Sequence, residues 1–117
     1  MALIAHRYTR EPKFLQAATQ QLDWVLGINP KGISQMEGVG ETFSKKYHHR
    51  YSLIPGNPRG AVPGAIVNGY GTTNAMEDFP FFDLFGGDWH TSEPWLPHNA
   101  WYLMVAEKLL KARLVKP

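Results

Sequence analysis

Two helix-like segments are separated by about sixty residues that hold most of the glycine and proline and show neither a helical period nor a repeat. This spacing most limits what the chain can become. Ordered domains seldom contain structureless connections beyond ~12–15 residues, and those that occur are functional or disordered. Disorder is disfavoured by Phe43, Tyr47, Tyr51, Tyr70, Phe79, Phe81, Phe82, Phe85 and Trp89, since disordered segments are poor in aromatics. The connection is therefore expected to be an ordered, aromatic-lined loop region.

The first flanking segment spans Glu11–Leu26. Leu15, Ala18, Leu22 and Val25 fall on one helical face, Pro12 suits a first turn, and Gly27 followed by Asn29-Pro30 stops the helix. The second spans Pro97–Arg113. Its run AWYLMVA is apolar all round, which predicts burial on more than one side. Glu107 and Lys111 are spaced for an i,i+4 pair, and Lys108, Lys111 and Arg113 suit a helix C-terminus. Two main helices and a loop region make a poor free-standing fold, so the chain is expected to be part of something larger.

At 117 residues and 44% hydrophobic, the chain amounts to one domain. The net charge of +2 gives no strong field for nucleic acid or a membrane, and no segment nears the ~20 apolar residues of a membrane span. MALIAHRYTR is too short an apolar run for a signal peptide, so any export signal is expected upstream. Cysteine is absent, which removes thiolate chemistry. Aromatics reach 13% with four Trp, enough to form platforms for flat ligands such as sugar rings.

Within the loop region, Lys45, Lys46, His48, His49 and Arg50 form a basic cluster. In an extended segment His48 and Arg50 project to the same side and suit a hydroxyl-rich or anionic ligand; the alternative is a solvated basic turn. A metal site among His6, His48, His49, His90 and His98 lacks HExxH or cysteine partners, and adjacent histidines on a strand point apart, so no metal is expected. EGVGE carries only GxG and reads as a turn.

Six of the ten acidic residues, Glu37, Glu41, Glu77, Asp78, Asp83 and Asp88, fall in the loop region, and Glu93 follows in DWHTSEPWLPHNA between Trp89 and Trp95. A carboxyl pressed against indoles loses hydration and keeps its proton longer, which suits general-acid work. A helix dipole just ahead favours the anion instead, so a plain N-terminal helix carboxylate is the competing reading.

LDWVLGINPKGIS, EGVGETFSKKYHHR, AVPGAIVNG and SEPWLPHNAWYLMVAE, in that order, resemble the C-terminal part of glycoside hydrolase family 9 over about residues 11–112. Gly40 with His48-His49-Arg50 fits that family's glycine and His-x-Arg motif, and Glu93, Asn99 and Ala100 fit its glutamate motif. The resemblance implies that Glu93 donates a proton to the glycosidic oxygen. It also implies that His48 and Arg50 hold sugar hydroxyls, with Trp89 and His98 completing the sugar-binding set. A rigid Gly/Pro loop would then place cations against sugars without side chains blocking the groove.

Three departures bear on the sugar preference. Ser92 and His98 stand where Asn and Tyr are usual, and position 84 is Leu where an aspartate is expected, with Asp83 and Asp88 flanking it. PWLPHNAW is closer to the exo-acting bacterial branch than to typical endoglucanases. Family members invert the anomeric centre using a base aspartate from an Asp pair, and acid and base in such enzymes stand ~6.5–9.5 Å apart. No matching Asp-x-x-Asp occurs here.

The resemblance thus implies a mainly α fold: two main helices and a long loop region forming the C-terminal fragment of an (α/α)6 barrel. Residues 1–117 would be an incomplete catalytic domain, without cofactor, inactive alone, from a secreted or periplasmic β-1,4-glucanase. Its partners would be the β-glucan substrate and the missing N-terminal part of the barrel. The alternatives are a carbohydrate-binding module using Trp89, Trp95 and Tyr51, an exo-β-glucosaminidase-type member of the family, and a structural fragment without a ligand.

Overall fold

The computed structural model describes residues 1–72 and 80–114 and is mainly helical. Helix α1 spans Ala2–Thr9, α2 Pro12–Val25, α3 Trp89–Ser92 and α4 Leu96–Leu114; a 3-10 turn occupies Arg50–Leu53. Two short strands, β1 (Gly71–Thr72) and β2 (Pro80–Phe81), pair antiparallel with Gly71 opposite Phe81. Glu77, Asp78 and Phe79 lie outside the described residues.

Helix α2 forms within a residue of each expected end. Pro12 takes its first position behind an extended Glu11, and Gly27 turns the chain away at φ +102, a conformation that only glycine adopts without strain. Asn29 then holds this exit. Its Nδ2 donates to the carbonyls of Trp24 (2.9 Å) and Ile33 (2.8 Å), while its Oδ1 accepts from Lys31 N, Ile33 N and the Tyr70 hydroxyl. The fourth residue of LGINP is thus a polar hub between α2 and the loop region.

Two helices were not anticipated. ALIAHRYT reads only as a short apolar run, yet it forms α1, which packs on α2 and ends at Arg10 in the left-handed region (φ 60). The single turn α3 owes its existence to capping rather than to hydrophobic period: the Asp88 side chain accepts from His90 N.

Helix α4 occupies the expected residues, and its Glu107–Lys111 pair forms. Its expected burial on several sides is not found. Trp101 is 71% exposed and Leu103 68%, whereas Leu109 is the α4 residue buried among those described. The reason is geometric: α2 is the main helical neighbour that packs on α4, and it covers one face. The radius of gyration, 16.1 Å, exceeds the roughly 13 Å of a compact domain this size.

The best-packed part lies in the loop region, where three extended segments pair side by side. Residues 65–69 run in the middle. On one side Glu37 N donates to Ala65 O (2.9 Å) and Val67 N to Gln35 O (3.0 Å). On the other, Asn68 N donates to Glu93 O (3.0 Å) and Gly69 N to Thr91 O (2.9 Å). Ile33, Ser34, Gln35, Ile66, Val67, Thr91 and Ser92 are buried there. Gly69, at φ +90, is required twice over, because a Cβ there would land 2.6 Å from the buried Gln35 side chain.

A second anchor fixes the basic loop beside this ladder. Arg59 binds both oxygens of Glu37 (3.2 and 3.0 Å) and the carbonyls of Ser44 and Lys45 (2.8 Å each), and Tyr47 donates its hydroxyl to the same carboxylate. Burial, the Glu37 hydrogen bond and the Glu37 charge push the Tyr47 phenol far up, against a smaller opposite pull from Arg59. The turn expected for EGVGE forms over Met36–Val39, closed by Val39 N to Met36 O (3.3 Å).

Candidate functional site

Glu93 is positioned by a relay of capped turns. Asp83 Oδ1 accepts from Phe85 N (2.8 Å) and its Oδ2 from Asp88 N (2.6 Å); Asp88 then caps α3, and Ser92 Oγ donates back to the Asp88 carbonyl (2.6 Å). Burial alone would raise the Asp83 carboxyl, but the N–H groups of Phe85, Asp88 and Gly87 together hold it below the usual carboxylate range. Glu93 follows α3 in extended backbone (φ −81, ψ 125), three residues ahead of α4. It is therefore the cap at the end of α3 and not a first-turn carboxylate of α4.

Asn99 locks this geometry from the first turn of α4. Its Oδ1 accepts from Ile66 N (2.8 Å), and its Nδ2 donates to Ile66 O (2.9 Å) and Trp95 O (2.8 Å). One side chain thereby satisfies both backbone groups of Ile66, next to the point where Val67 pairs with Pro94. The asparagine six residues after the glutamate sets where the glutamate sits.

The basic loop reaches the same place. His48 N donates to Ser92 O (3.2 Å), while Lys45 N and Lys46 N both bind Leu84 O. His48 and Glu93 are thus joined across the Ser92 carbonyl. Glu93 is half-buried, His48 is exposed, and neither side chain forms a hydrogen bond or ion pair among the described residues.

Arg50 departs from expectation. The chain is extended at His49 (φ −149, ψ 140) and then coils into the 3-10 turn, with Tyr51 N bonded to His49 Nδ1 (3.2 Å). The alternation that was to set Arg50 on the same side as His48 is therefore lost. Arg50 is exposed at the head of that turn, without a polar partner among the described residues.

The indoles also differ from a closed cleft. Trp89 is 51% exposed and Trp95 52%, so water reaches both. Each is braced by an imidazole: His90 stacks on Trp89 at 3.7 Å while held by Asp88 Oδ1 (2.8 Å), and His98 meets Trp95 edge-on at 5.1 Å. His98 also lines a cleft of about 360 Å³ with Val67, Asn68 and Trp101. Among the described residues no group of three or more His, Asp or Glu is placed to hold a metal ion.

Asp83, Asn29 and Arg59 fix the site's frame and were not singled out from sequence. Asp83 stood out only as an aspartate one place from the expected position, and Arg59 lay inside a stretch, PGNPRG, whose prolines and glycines suggested only a turn.

The sequence pattern of glycosyl hydrolase family 9 matches residues 1–106. Endoglucanase 13 of Arabidopsis thaliana is 41% identical over 56 residues, 48% of this chain and 11% of the relative. Endoglucanase 4 of Arabidopsis thaliana is 33% identical over 100 residues, 66% of this chain and 20% of the relative. Endoglucanase 16 of Oryza sativa subsp. japonica is 50% identical over 40 residues, 33% of this chain and 7% of the relative. Between 7 and 20% of the length of these relatives is covered. No solved structure matches the chain.

Two measurements check this geometry. Asn99→Ala leaves the Ile66 N–H unpaired, while the Ile66 carbonyl keeps its bond from Trp95 N; the loss costs about 1–3 kcal/mol, so hydrogen exchange at the Ile66 amide should accelerate roughly tenfold or more. The Ser34 amide, bonded to Thr42 O, should keep more of its protection. For Asp83, a carboxyl lowered on folding adds stability above its unfolded value of about 3.9 and loses it as pH falls through the lower folded value. The stability gap between the native chain and Asp83→Asn, read by thermal melts, should be constant near neutrality and narrow below about pH 4.

Proposed function

Because this chain belongs to glycosyl hydrolase family 9, we propose that it is the C-terminal portion of an (α/α)6-barrel catalytic domain. The parent enzyme hydrolyses β-1,4 bonds of cellulose or cello-oligosaccharides with inversion, and Glu93 is its general acid. One arrangement carries the reading: a half-buried carboxylate, without a polar partner among the described residues, on a backbone ladder and one carbonyl away from the His48 backbone. The endoglucanase names of the relatives favour this substrate class.

In the reaction, the Glu93 carboxyl transfers its proton to the glycosidic oxygen as the C–O bond breaks, and the leaving sugar departs as a neutral alcohol. A water molecule, deprotonated by a carboxylate supplied from outside this chain, attacks the anomeric carbon from the opposite face. His48 donates to sugar hydroxyls beside Glu93. Arg50 does so from the turn two residues on, Trp89 offers its indole face to a sugar ring, and His98 contacts the neighbouring unit. With acid and base ~6.5–9.5 Å apart, water fits between them and the configuration inverts.

The exposed apolar residues of α4 are the surface that the rest of the barrel covers, and the base comes with it. A second reading has one observation in its favour: Trp89, Trp95 and Tyr51 are each about half exposed, as sugar-stacking residues of a binding module would be.

In the parent enzyme, Glu93→Gln should lower kcat/KM on a cello-oligosaccharide by roughly 10²–10⁴ with an unchanged melting temperature. The purified 117-residue chain should not hydrolyse it. Hydrolysis by the chain alone, lost in Glu93→Gln, would contradict a base supplied from elsewhere. Cellulose binding by the chain alone, lost in Trp89→Ala and Trp95→Ala while Glu93→Gln leaves the parent fully active, would select the binding module.

A further inference from the structure

Three residues outside the proposed chemistry tie the basic loop to the ladder. Glu37 lies on the ladder edge opposite Glu93: its N–H donates to Ala65 O (2.9 Å) and its carbonyl accepts from Gly64 N (3.2 Å). Its side chain is 11% exposed and meets Arg59, whose Nη1 and Nη2 donate to the two carboxylate oxygens (3.2 and 3.0 Å). The same guanidinium donates from Nη2 to Ser44 O and from Nε to Lys45 O, at 2.8 Å each, and lies over the rings of Phe43 and Tyr47 at 5.8 Å. Tyr47 closes the cluster, with its N–H on Arg59 O (2.8 Å) and its hydroxyl on the Glu37 carboxylate.

The stretch PGNPRG is shaped to deliver Arg59. Asn57 clasps Ala61 with both ends of its amide (3.0 and 3.1 Å), and Gly60 N bonds Asn57 O (3.0 Å). Gly60 has φ +68, and a Cβ there would come within 3.3 Å of Tyr47 O and 3.4 Å of His49 O. The turn is thus seated on the backbone at both neighbours of His48. From the side of residues 84–92, Leu84 O accepts from Lys45 N and Lys46 N, and Ser92 O from His48 N. The loop is held from both sides, with His48 first after the anchored stretch.

We propose that Arg59 and Glu37 are positioning residues for the sugar grip: they set where His48 stands relative to Glu93, and so how a sugar lies against the proton donor. The assignment rests on the hydrolytic reading and extends it to residues that act through His48. An exposed Arg–carboxylate pair alone contributes little to stability. A planar fork that binds a carboxylate and two carbonyls at once fixes orientation instead, and misplacement by about 1 Å away from the reacting atoms can cost about 10²-fold in rate. Burial and the Glu37 hydrogen bond push the Tyr47 phenol far up, so its hydroxyl stays a donor to the cluster at neutral pH.

The test is a double-mutant cycle in the parent enzyme, read as kcat/KM on a cello-oligosaccharide. Arg59→Lys keeps a charge beside Glu37 but loses the fork, and should lower kcat/KM about tenfold or more. In a His48→Ala background the same change should cost less than about twofold further. A change that only weakened the fold would cost as much in either background. Tyr47→Phe is the milder arm: about threefold lower kcat/KM alone, and no further loss with His48→Ala. Where melting curves show Arg59→Lys unfolded at the assay temperature, the Tyr47→Phe cycle decides. Hydrogen exchange gives a readout apart from activity. In the folded Arg59 or Tyr47 variant the His48 amide should exchange about threefold faster or more, while the Gly69 amide, inside the ladder, should change less than about twofold. Full additivity with His48→Ala, native kcat/KM in both single variants, or an unmoved His48 amide would overturn the positioning role alone. Native kcat/KM in His48→Ala by itself would remove His48 from the sugar site, and the positioning role with it.

Discussion

The structure depends on the backbone pairing of residues 65–69 between two other extended segments. This middle segment bonds 35–37 on one edge and 91–95 on the other, and Asn99 closes the end by satisfying both backbone groups of Ile66. Unpaired buried backbone groups cost about as much as lost hydrogen bonds, so a loop region this long can be buried only if it builds such a ladder. Everything placed at the site hangs from it. Glu93 is on the outer segment, His48 hydrogen-bonds to that segment at Ser92, and α4 starts where it ends.

Polar anchors complete the frame where hydrophobic burial is thin. Asn29 fixes the exit of α2, Arg59 with Glu37 fixes the basic loop, and Asp83 with Asp88 fixes the turn before Glu93. Each is a side chain satisfying backbone donors or acceptors, an interaction that substitutes for the ladder where regular pairing stops. Helix α4 shows the opposite situation. Its apolar run has more surface than α2 can cover, and Trp101, Leu103 and Met104 remain exposed.

The two long helices were legible because periodicity, Pro12, Gly27 and the Glu107–Lys111 spacing are local signals. Helix α1 was not, since eight residues with one short apolar run give no period, and its stability comes from packing on α2. In the site, sequence gave residue types but not directions. Alternation was a sound rule for an extended chain, but it failed at Arg50 because the backbone coils there. Proximity of Glu93 to two indoles in sequence did not produce burial between them, because each ring faces outward and leans on its own imidazole. The ladder itself left little trace: nothing in AVPGAIVNG announces that its second half pairs with residues 35–37 before it and residues 91–95 after it.

The proposed role of Glu93 as a proton donor held by the ladder makes the rate of hydrolysis depend on the leaving group. In the parent enzyme carrying Glu93→Ala, hydrolysis is compared for two β-cellobiosides, one with 2,4-dinitrophenolate as leaving group and one with a simple alkoxide. A departing group that needs no proton should be cleaved at close to the native rate, while the alkoxide substrate should lose roughly 10²-fold or more. Equal losses on both substrates would contradict the assignment and leave Glu93 a structural carboxylate.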